Sequence, residues 1–406
     1  PELKKMEGFP IGDDDDILNL SDPPYYTACP NPWLNNFVAE WEEEKTKLEK
    51  LGKRTRDFEV VEPYAADVNE GKNNPIYNAH SYHTKVPHPA IMRYIMYYTQ
   101  PGDIVFDGFA GTGMTGVACL ACEKPDGEIK YKIEQENSEV VWGKRQAINS
   151  DLSPIASFIT KVLNSSYCKD TSGRLETVVA KTDDTYGWMY KTQHSKYLAE
   201  IDHVIWSQVF SCSNCTNDII FWDEAVENDR VMSEFPCPSC GVQQSKKTLI
   251  TVFETRFDPM FGQTVKLQKE QPVLIKYSFQ GKSYTKSPDD FDLKTLEKIY
   301  AIEPVLNFRD VEIMGGDEIS RVLKAGITRT SQLFTRRTLI YLNELLKYAK
   351  NEREYDYELL FQITAIVQRA SKLFRWSKNH AGPLMGTYYL ASLILEVSPR
   401  KLLSKK

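Results

Sequence analysis

The stretch Pro101–Gly116, PGDIVFDGFAGTGMTG, constrains the fold of this chain more than any other. Asp103–Phe106 is a short apolar run bounded by Pro101-Gly102, which predicts a buried strand. Gly108, Gly111 and Gly113 follow, and then a helix-compatible run from Met114 to Cys122. Strand, Gly-rich turn and helix in that order make the opening βα unit of a doubly wound, Rossmann-like sheet. Glycines there let the backbone turn tightly and approach a ligand that a Cβ would hold away. A Gly-rich turn alone also fits a plain βα connection. The spacing here, G-x-x-G-x-G headed by Asp107, differs from the dinucleotide pattern G-x-G-x-x-G. Downstream, Ala147–Asp151 reads as the second strand and ends in an acid, which in this fold accepts hydrogen bonds from ribose hydroxyls. Leu152–Leu163 reads as the next helix, and the polar insertion Glu123–Gly143 as an exposed loop or hairpin. Cys119 and Cys122 fall inside the helix after the turn, with no partner pair, and read as buried small apolar residues.

A second pattern is more specific. Cys212-Ser-Asn-Cys215 and Cys237-Pro-Ser-Cys240 are two CxxC knuckles in polar turn sequence, separated by 21 residues. Four thiolates at that spacing fit a structural zinc ribbon with no open coordination position. The 8 cysteines of the chain, with no secretion signal ahead of them, argue for metal-bound or buried thiols in a reducing compartment, the cytoplasm, rather than disulfides. The first residue is Pro1 rather than methionine, which reads as a fragment or a processed form.

At 406 residues, two or three domains are the natural expectation. No apolar run of about 18 residues is present, so no membrane span is expected. The net charge of -6 is unevenly placed. Residues 1–70 are acid-rich, with Asp13–Asp16 and Glu42–Glu44, whereas the chain from Arg321 onward is basic. Residues 37–56 read as an exposed amphipathic helix closed by Lys53–Arg56. Ser331–Lys350 and Tyr357–Trp376 read as two helices with Arg336, Arg337, Arg369, Lys372 and Arg375 among apolar positions. Such residues suit a phosphate-backbone surface, with two core helices carrying solvated charges as the alternative reading. Strand-like stretches lie at Leu249–Phe253 and Val273–Phe279. His80, His83 and His88 sit around a proline-started helix and read as pocket or core residues rather than metal ligands.

Taken together, SDPPYYTACPNPW, EGKNNPIYNAHSYHTKVPH, GDIVFDGFAGTGMTG, INSDLSPIASFI and the twin CxxC resemble the S-adenosylmethionine-dependent DNA amino-methyltransferases acting on adenine N6 or cytosine N4. More narrowly, the chain is similar to long bacterial site-specific DNA methylases associated with restriction or phage defence. The resemblance implies a doubly wound α/β methyltransferase sheet with an inserted zinc ribbon and a helical C-terminal region. It implies that Asp22, Pro23, Pro24 and Tyr25 hold the target base. An adenine N6 lone pair is delocalised into the ring, so a carboxylate and a backbone carbonyl accepting its N–H bonds would turn it toward the methyl donor. The two prolines hold those acceptors still, and the aromatic stacks on a flipped base. A Pro-rich turn is the alternative reading of the same tetrad. Asp258-Pro-Met-Phe261 imitates the tetrad without its second proline and is set aside.

The resemblance further implies that His83, Thr84, Lys85, Asp107, Gly108, Phe109, Gly111, Gly113 and Asp151 bind S-adenosylmethionine, that Cys212, Cys215, Cys237 and Cys240 bind structural zinc, and that double-stranded DNA is the partner. The expected activity is methyl transfer to adenine N6. The alternatives are cytosine N4 methylation, or a catalytically incomplete DNA-binding fragment, because Tyr25 and Tyr82 stand too close for three strands and a recognition region between them. On this reading residues 1–70 form an N-terminal segment with the tetrad and a charged helix, 71–205 the cofactor-binding α/β domain, 206–250 the zinc ribbon, 251–330 a β-rich connection and 331–406 a basic helical region.

Overall fold

A computed structural model describes residues 33–65, 70–82, 84–165, 171–259, 262–350, 356–378, 381–383 and 387–404. The chain forms two compact units, residues 1–168 and 169–406. Among the described residues no helix is long and apolar enough to cross a membrane.

In the first unit, α1 (Leu34–Lys50) precedes α2 (His88–Tyr98), β1 (Ile104–Asp107), α3 (Met114–Ala121), α4 (Gly127–Glu136), β2 (Gln146–Asn149) and α5 (Pro154–Asn164). β1 and β2 pair in parallel, from Ile104 opposite Gln146 to Asp107 opposite Asn149. This is the mixed α/β arrangement expected, two strands wide among the described residues. Parallel neighbours need a crossover, and α3 with α4 supplies it. Met92, Ile95 and Met96 of α2 pack on Ala118, Cys119, Cys122 and Ile133 to make the core. Desolvation pushes the Cys119 thiol up to about 12 and the Cys122 thiol up to about 11, so both stay protonated.

The insertion expected to be a loop or hairpin contains α4 instead. Asp126 caps it, accepting from Glu128 N at 2.9 Å, which satisfies one of the orphan amides of a helix start. The helix buries Ile133, and Arg93 anchors its far end by bonding Glu136 at 2.7 Å through Nε. With so few apolar positions, the helix depends on these non-local partners. The fully buried Arg145 likewise donates to the carbonyls of Thr99, Val141 and Gly143, tying the approach to β2 onto the end of α2.

The second unit is built on β4 (Tyr197–Ser211), which follows α6 (Thr171–Tyr186) and β3 (Lys191–His194). β5 (Asp218–Ile220), β6 (Glu234–Pro236), β7 (Gln243–Ser245), β8 (Ile250–Thr251), β9 (Phe253–Asp258), β10 (Gln263–Gln268), β11 (Glu270–Phe279) and β12 (Lys282–Lys286) come next. Then come α7 (Asp290–Tyr300), α8 (Arg336–Ala349), α9 (Tyr357–Ala370) and β13 (Leu393–Val397). β4 pairs antiparallel with β3, β5, β8, β11 and β13 along different parts of its length. Val204 and Trp206 of β4 pack with Val178, Ile340, Tyr341, Leu345, Leu359, Ile363 and Ile394, so α6, α8 and α9 share one core with the sheet.

Of the two readings of α8, that packing supports the core helix, but with its arginines buried and paired rather than solvated. Arg336 and Arg337 are 8% and 4% exposed. Arg336 Nη1 bonds Asp258 at 3.2 Å, and Arg337 Nε lies 3.3 Å from Glu396, whose side chain is fully buried. Glu396 also accepts from Trp206 Nε1 at 2.5 Å. Buried charges of this kind must be paired, and the pairing residues are remote in sequence. Lys372 is likewise drawn to Glu270 at 2.8 Å.

The β4–β11 ladder also holds His203. Burial first, then Lys276 and Lys401 against the opposing pull of Asp202, hold its imidazole down at about 4. The unfolded chain takes up a proton below about 6.5 and the native chain only near 4, so stability falls as pH drops through that window. Denaturant titrations at pH 7 and pH 4.5 should show a smaller acid-induced loss of stability in His203→Gln than in the wild type. An identical loss in both would mean that His203 is free to protonate in the folded protein.

Candidate active site and metal centre

The Gly-rich loop runs from the carboxyl end of β1 into α3, beside the carboxyl end of β2. Asp107, the last residue of β1, accepts from Phe109 N at 3.1 Å through Oδ1 and from Thr115 Oγ1 at 2.6 Å through Oδ2. One carboxylate thus braces both sides of the turn. Asp151 does the same from the β2 side, accepting from Gly111 N at 2.8 Å and from Ser153 N at 2.9 Å. A carboxylate offers about four acceptor sites, so these two bonds leave capacity for ribose hydroxyls.

Gly111 and Gly113 have φ of +54° and +72°, a region costly for residues with a Cβ. Their surroundings differ. A Cβ on Gly113 would meet Asn164 Nδ2 and Thr160 Cγ2 at 2.6 Å, whereas one on Gly111 would meet only the Tyr82 ring, at 3.6 Å. Gly113 is therefore needed for packing on α5, whereas among the described residues a side chain at Gly111 would meet only the Tyr82 ring, at ordinary contact distance. Gly108 lies against the Phe106 ring, which its own Cβ would approach to 3.3 Å. Phe109 projects outward, 89% exposed.

Two residues that sequence reasoning missed position this loop. Thr160 Oγ1 donates to Gly111 O at 3.0 Å and Asn164 Nδ2 to Gly113 O at 3.1 Å. They are four apart on α5 and so share one face. A polar pair on the inner face of an otherwise apolar helix was the signal that could have found them.

The upstream segment is held differently. Lys85 Nζ donates to His80 O at 2.6 Å and to Tyr77 O, and lies 4.4 Å from the centre of the Tyr77 ring. Both of these carbonyls belong to its own loop. Thr84 next to it has φ of +57°. His80 and His88 are buried, as expected of core residues; desolvation lowers the His88 imidazole below its usual value. Asp22, Pro23, Pro24, Tyr25 and His83 lie outside the described residues.

In the second unit the four knuckle cysteines converge. Their ligand atoms all lie within 4.8 Å of one another, with Cys212 Sγ to Cys240 Sγ at 3.8 Å and Cys215 Sγ to Cys237 Sγ at 3.7 Å. Four sulfurs about 2.3 Å from a tetrahedral zinc stand roughly 3.8 Å apart. The four cysteines therefore could hold a zinc ion. Each knuckle is closed by backbone bonds, Thr216 N to Cys212 O at 3.0 Å and Gly241 N to Cys237 O at 2.9 Å. The thiols are unequal. The Val242 amide and then the Asn214 side chain hold Cys240 down at about 6. Cys215, although it receives an amide from Asn217, is pushed up to about 12 by desolvation and the surrounding thiols. Four thiolates cannot crowd together unless a cation neutralises them, which is what a bound divalent metal does. The cluster rests on Phe210 and Leu393 of the central sheet, with Ile219, Phe221 and Phe235.

Residues 15–141 match the family model described as DNA methylase. The match runs through β1, the Gly-rich loop, α3 and α4; β2 with Asp151 and the cysteine cluster lie beyond it. The model is that of the N6/N4 DNA methylases, a type common to enzymes of adenine and of cytosine, and the likeness of this segment to it supports DNA methyl transfer as the general activity. Such enzymes use S-adenosylmethionine as donor and DNA as substrate. No curated protein and no solved structure matches the chain.

Proposed function

We propose that this protein transfers a methyl group from S-adenosylmethionine to adenine N6 in double-stranded DNA. The observation that carries the reading is the Gly111 turn, with positive φ and braced by Asp107 and Asp151, within and next to the segment that matches the DNA methylases. Those features fit the cofactor: a backbone without Cβ where a ligand must come close, and carboxylate capacity beside it for hydroxyls. When bound, S-adenosylmethionine supplies an electrophilic methyl on a sulfonium. The loop residues Asp107, Gly108, Phe109, Gly111, Gly113 and Asp151 would hold and orient it, and the exposed Phe109 ring offers a face for the adenosine. Thr84 and Lys85 would act by shaping the loop before α2.

For the target base the reading rests on Asp22-Pro23-Pro24-Tyr25. Asp22 and a neighbouring carbonyl would accept the amino N–H bonds, directing the nitrogen lone pair outward. Tyr25 would stack on the extruded ring. The parallel β1–β2 pair would then be part of a doubly wound sheet, with the zinc centre as a structural module of the second unit. A reducing cytoplasm suits the thiols, and restriction or phage defence would be the biological setting.

Radiolabelled methyl transfer to mixed-sequence DNA, followed by nucleoside analysis, tests both the activity and the base. N6-methyladenine is the expected product; N4-methylcytosine would move the assignment to the other amino group. Asp22→Ala should abolish transfer while leaving cofactor and DNA binding nearly intact, because the interaction orients the nucleophile in the transition state. Full activity in Asp22→Ala would remove the tetrad from the mechanism. Wild-type protein that binds cofactor and transfers nothing would make the chain a DNA-binding portion of such an enzyme.

A further inference from the structure

Basic residues of the second unit divide into two sets. Arg336, Arg337 and Lys372 are paired with acids inside the fold. Another set stays on the surface and converges on one ring. Lys246 Nζ donates to the Tyr389 hydroxyl at 3.1 Å, and the Arg321 guanidinium carbon lies 5.7 Å from the centre of the same ring. Lys247 adjoins Lys246, and Lys324 follows Arg321 by one turn of the short helix Ser320–Lys324. All four cations are exposed. Among the described residues none of them forms an ion pair with an acid, Asp317 and Glu318 just ahead of the helix included.

The geometry suits phosphate. Lys246 Nζ is 5.4 Å from the ring centre, so about 11 Å at most separates it from the Arg321 guanidinium, within the reach of neighbouring phosphates on one DNA strand. The ring adds a third donor. Tyr389 accepts from Lys246 and donates to no group among the described residues, so its O–H proton remains for an acceptor. Ammonium, hydroxyl and guanidinium are the groups that position DNA through its phosphates. Like charges gathered on one ring repel. A polyanion is the partner that gains most from them, because each phosphate they neutralise releases a counterion.

We propose that Lys246, Lys247, Arg321, Lys324 and the Tyr389 hydroxyl form a surface of the second unit that binds the phosphate backbone of duplex DNA without reading its sequence. The choice of DNA as the polyanion rests on the methyl-transfer reading. Anisotropy titrations of a labelled mixed-sequence duplex with the full chain, without S-adenosylmethionine, should show salt-dependent binding. Lys246→Gln and Arg321→Gln should each weaken it roughly fivefold at about 0.15 M salt and lower the salt slope by about one. Tyr389→Phe removes a donor and no charge, so it should weaken binding and leave the slope unchanged. Arg321→Lys should keep the wild-type slope. The charge variants should retain wild-type circular dichroism and metal content; if Tyr389→Phe does not fold, they decide alone. No duplex binding by the wild type, or an unchanged slope in both charge variants, would overturn the proposal. Tighter binding of polyglutamate than of duplex at equal ionic strength would overturn it too, and would assign the surface to an acidic protein. Methyl transfer is scored separately. A chain that transfers no methyl group but shows these slopes keeps the surface and loses the enzymatic reading; active transfer with unchanged slopes does the reverse.

Discussion

Replacing Cys237 by serine is expected to abolish zinc binding and unfold the knuckle region of the second unit. The four sulfurs stand at tetrahedral separations around one point, and no other cysteine, histidine or acid joins the cluster among the described residues. Structural zinc contributes about 10–16 kcal/mol of apparent binding free energy in peptide models, and in such sites that energy is folding energy. The small strands β6 and β7, only three residues each, are held by their own pairing, by Phe235 against Phe221 and Ile219, and by hydrogen bonds to the buried Gln244, a small core beside what a metal would supply. Metal analysis of the wild type should give about one zinc per chain, and the Cys237→Ser protein close to none. Hydrogen exchange should accelerate across residues 212–245, while the β4–β11 ladder stays protected because its core lies around Trp206 and Ile340. A Cys237→Ser protein with full zinc and native protection would mean that the cluster is not a tetrathiolate site.

The second large effect is expected at Gly111. Leucine there must adopt φ of +54°, a strain of about 1–2 kcal/mol for a residue with a Cβ, which the fold can bear. The Cβ would point toward Tyr82 without clash, so the side chain would fill the space in front of the loop instead of disrupting the core. Gly111→Leu should therefore stay folded and lose S-adenosylmethionine binding. Gly113→Leu is the contrasting variant. Its Cβ would collide with Thr160 and Asn164 at 2.6 Å, so it should lose the packing of α5 and with it the stability of the first unit. Calorimetry on both variants, alongside thermal melts, distinguishes them. Unchanged cofactor affinity in a folded Gly111→Leu protein would sink the assignment of this loop.

The opening βα unit was legible in the sequence because its signals are local. The apolar run at Asp103–Phe106 marks β1, although the strand expected to be buried is only half-buried among the described residues, with Phe106 70% exposed, and glycines mark a turn with positive φ. Ser153-Pro154 starts α5, with Ser153 Oγ accepting from Ala156 N at 3.4 Å. The knuckles were legible for the same reason, since two CxxC turns need only a metal in common to be placed together. Residues whose surroundings come from distant parts of the chain were not legible. Whether Arg336 and Arg337 face solvent or a core depends on Asp258 and Glu396, which only the sheet brings to them. The helix Gly127–Glu136 lacks the apolar stripe that would announce it, and its packing against α2 supplies what periodicity does not. Thr160 and Asn164 acquire their role because parallel pairing of β1 and β2 sets α5 behind the Gly-rich loop. The sequence by itself determined the turns and the cysteine cluster, because backbone conformation and thiol chemistry depend on residue type at short range. Only the tertiary structure decided which charges are buried and which helix supports the loop, because burial and ion pairing are set by partners far away along the chain.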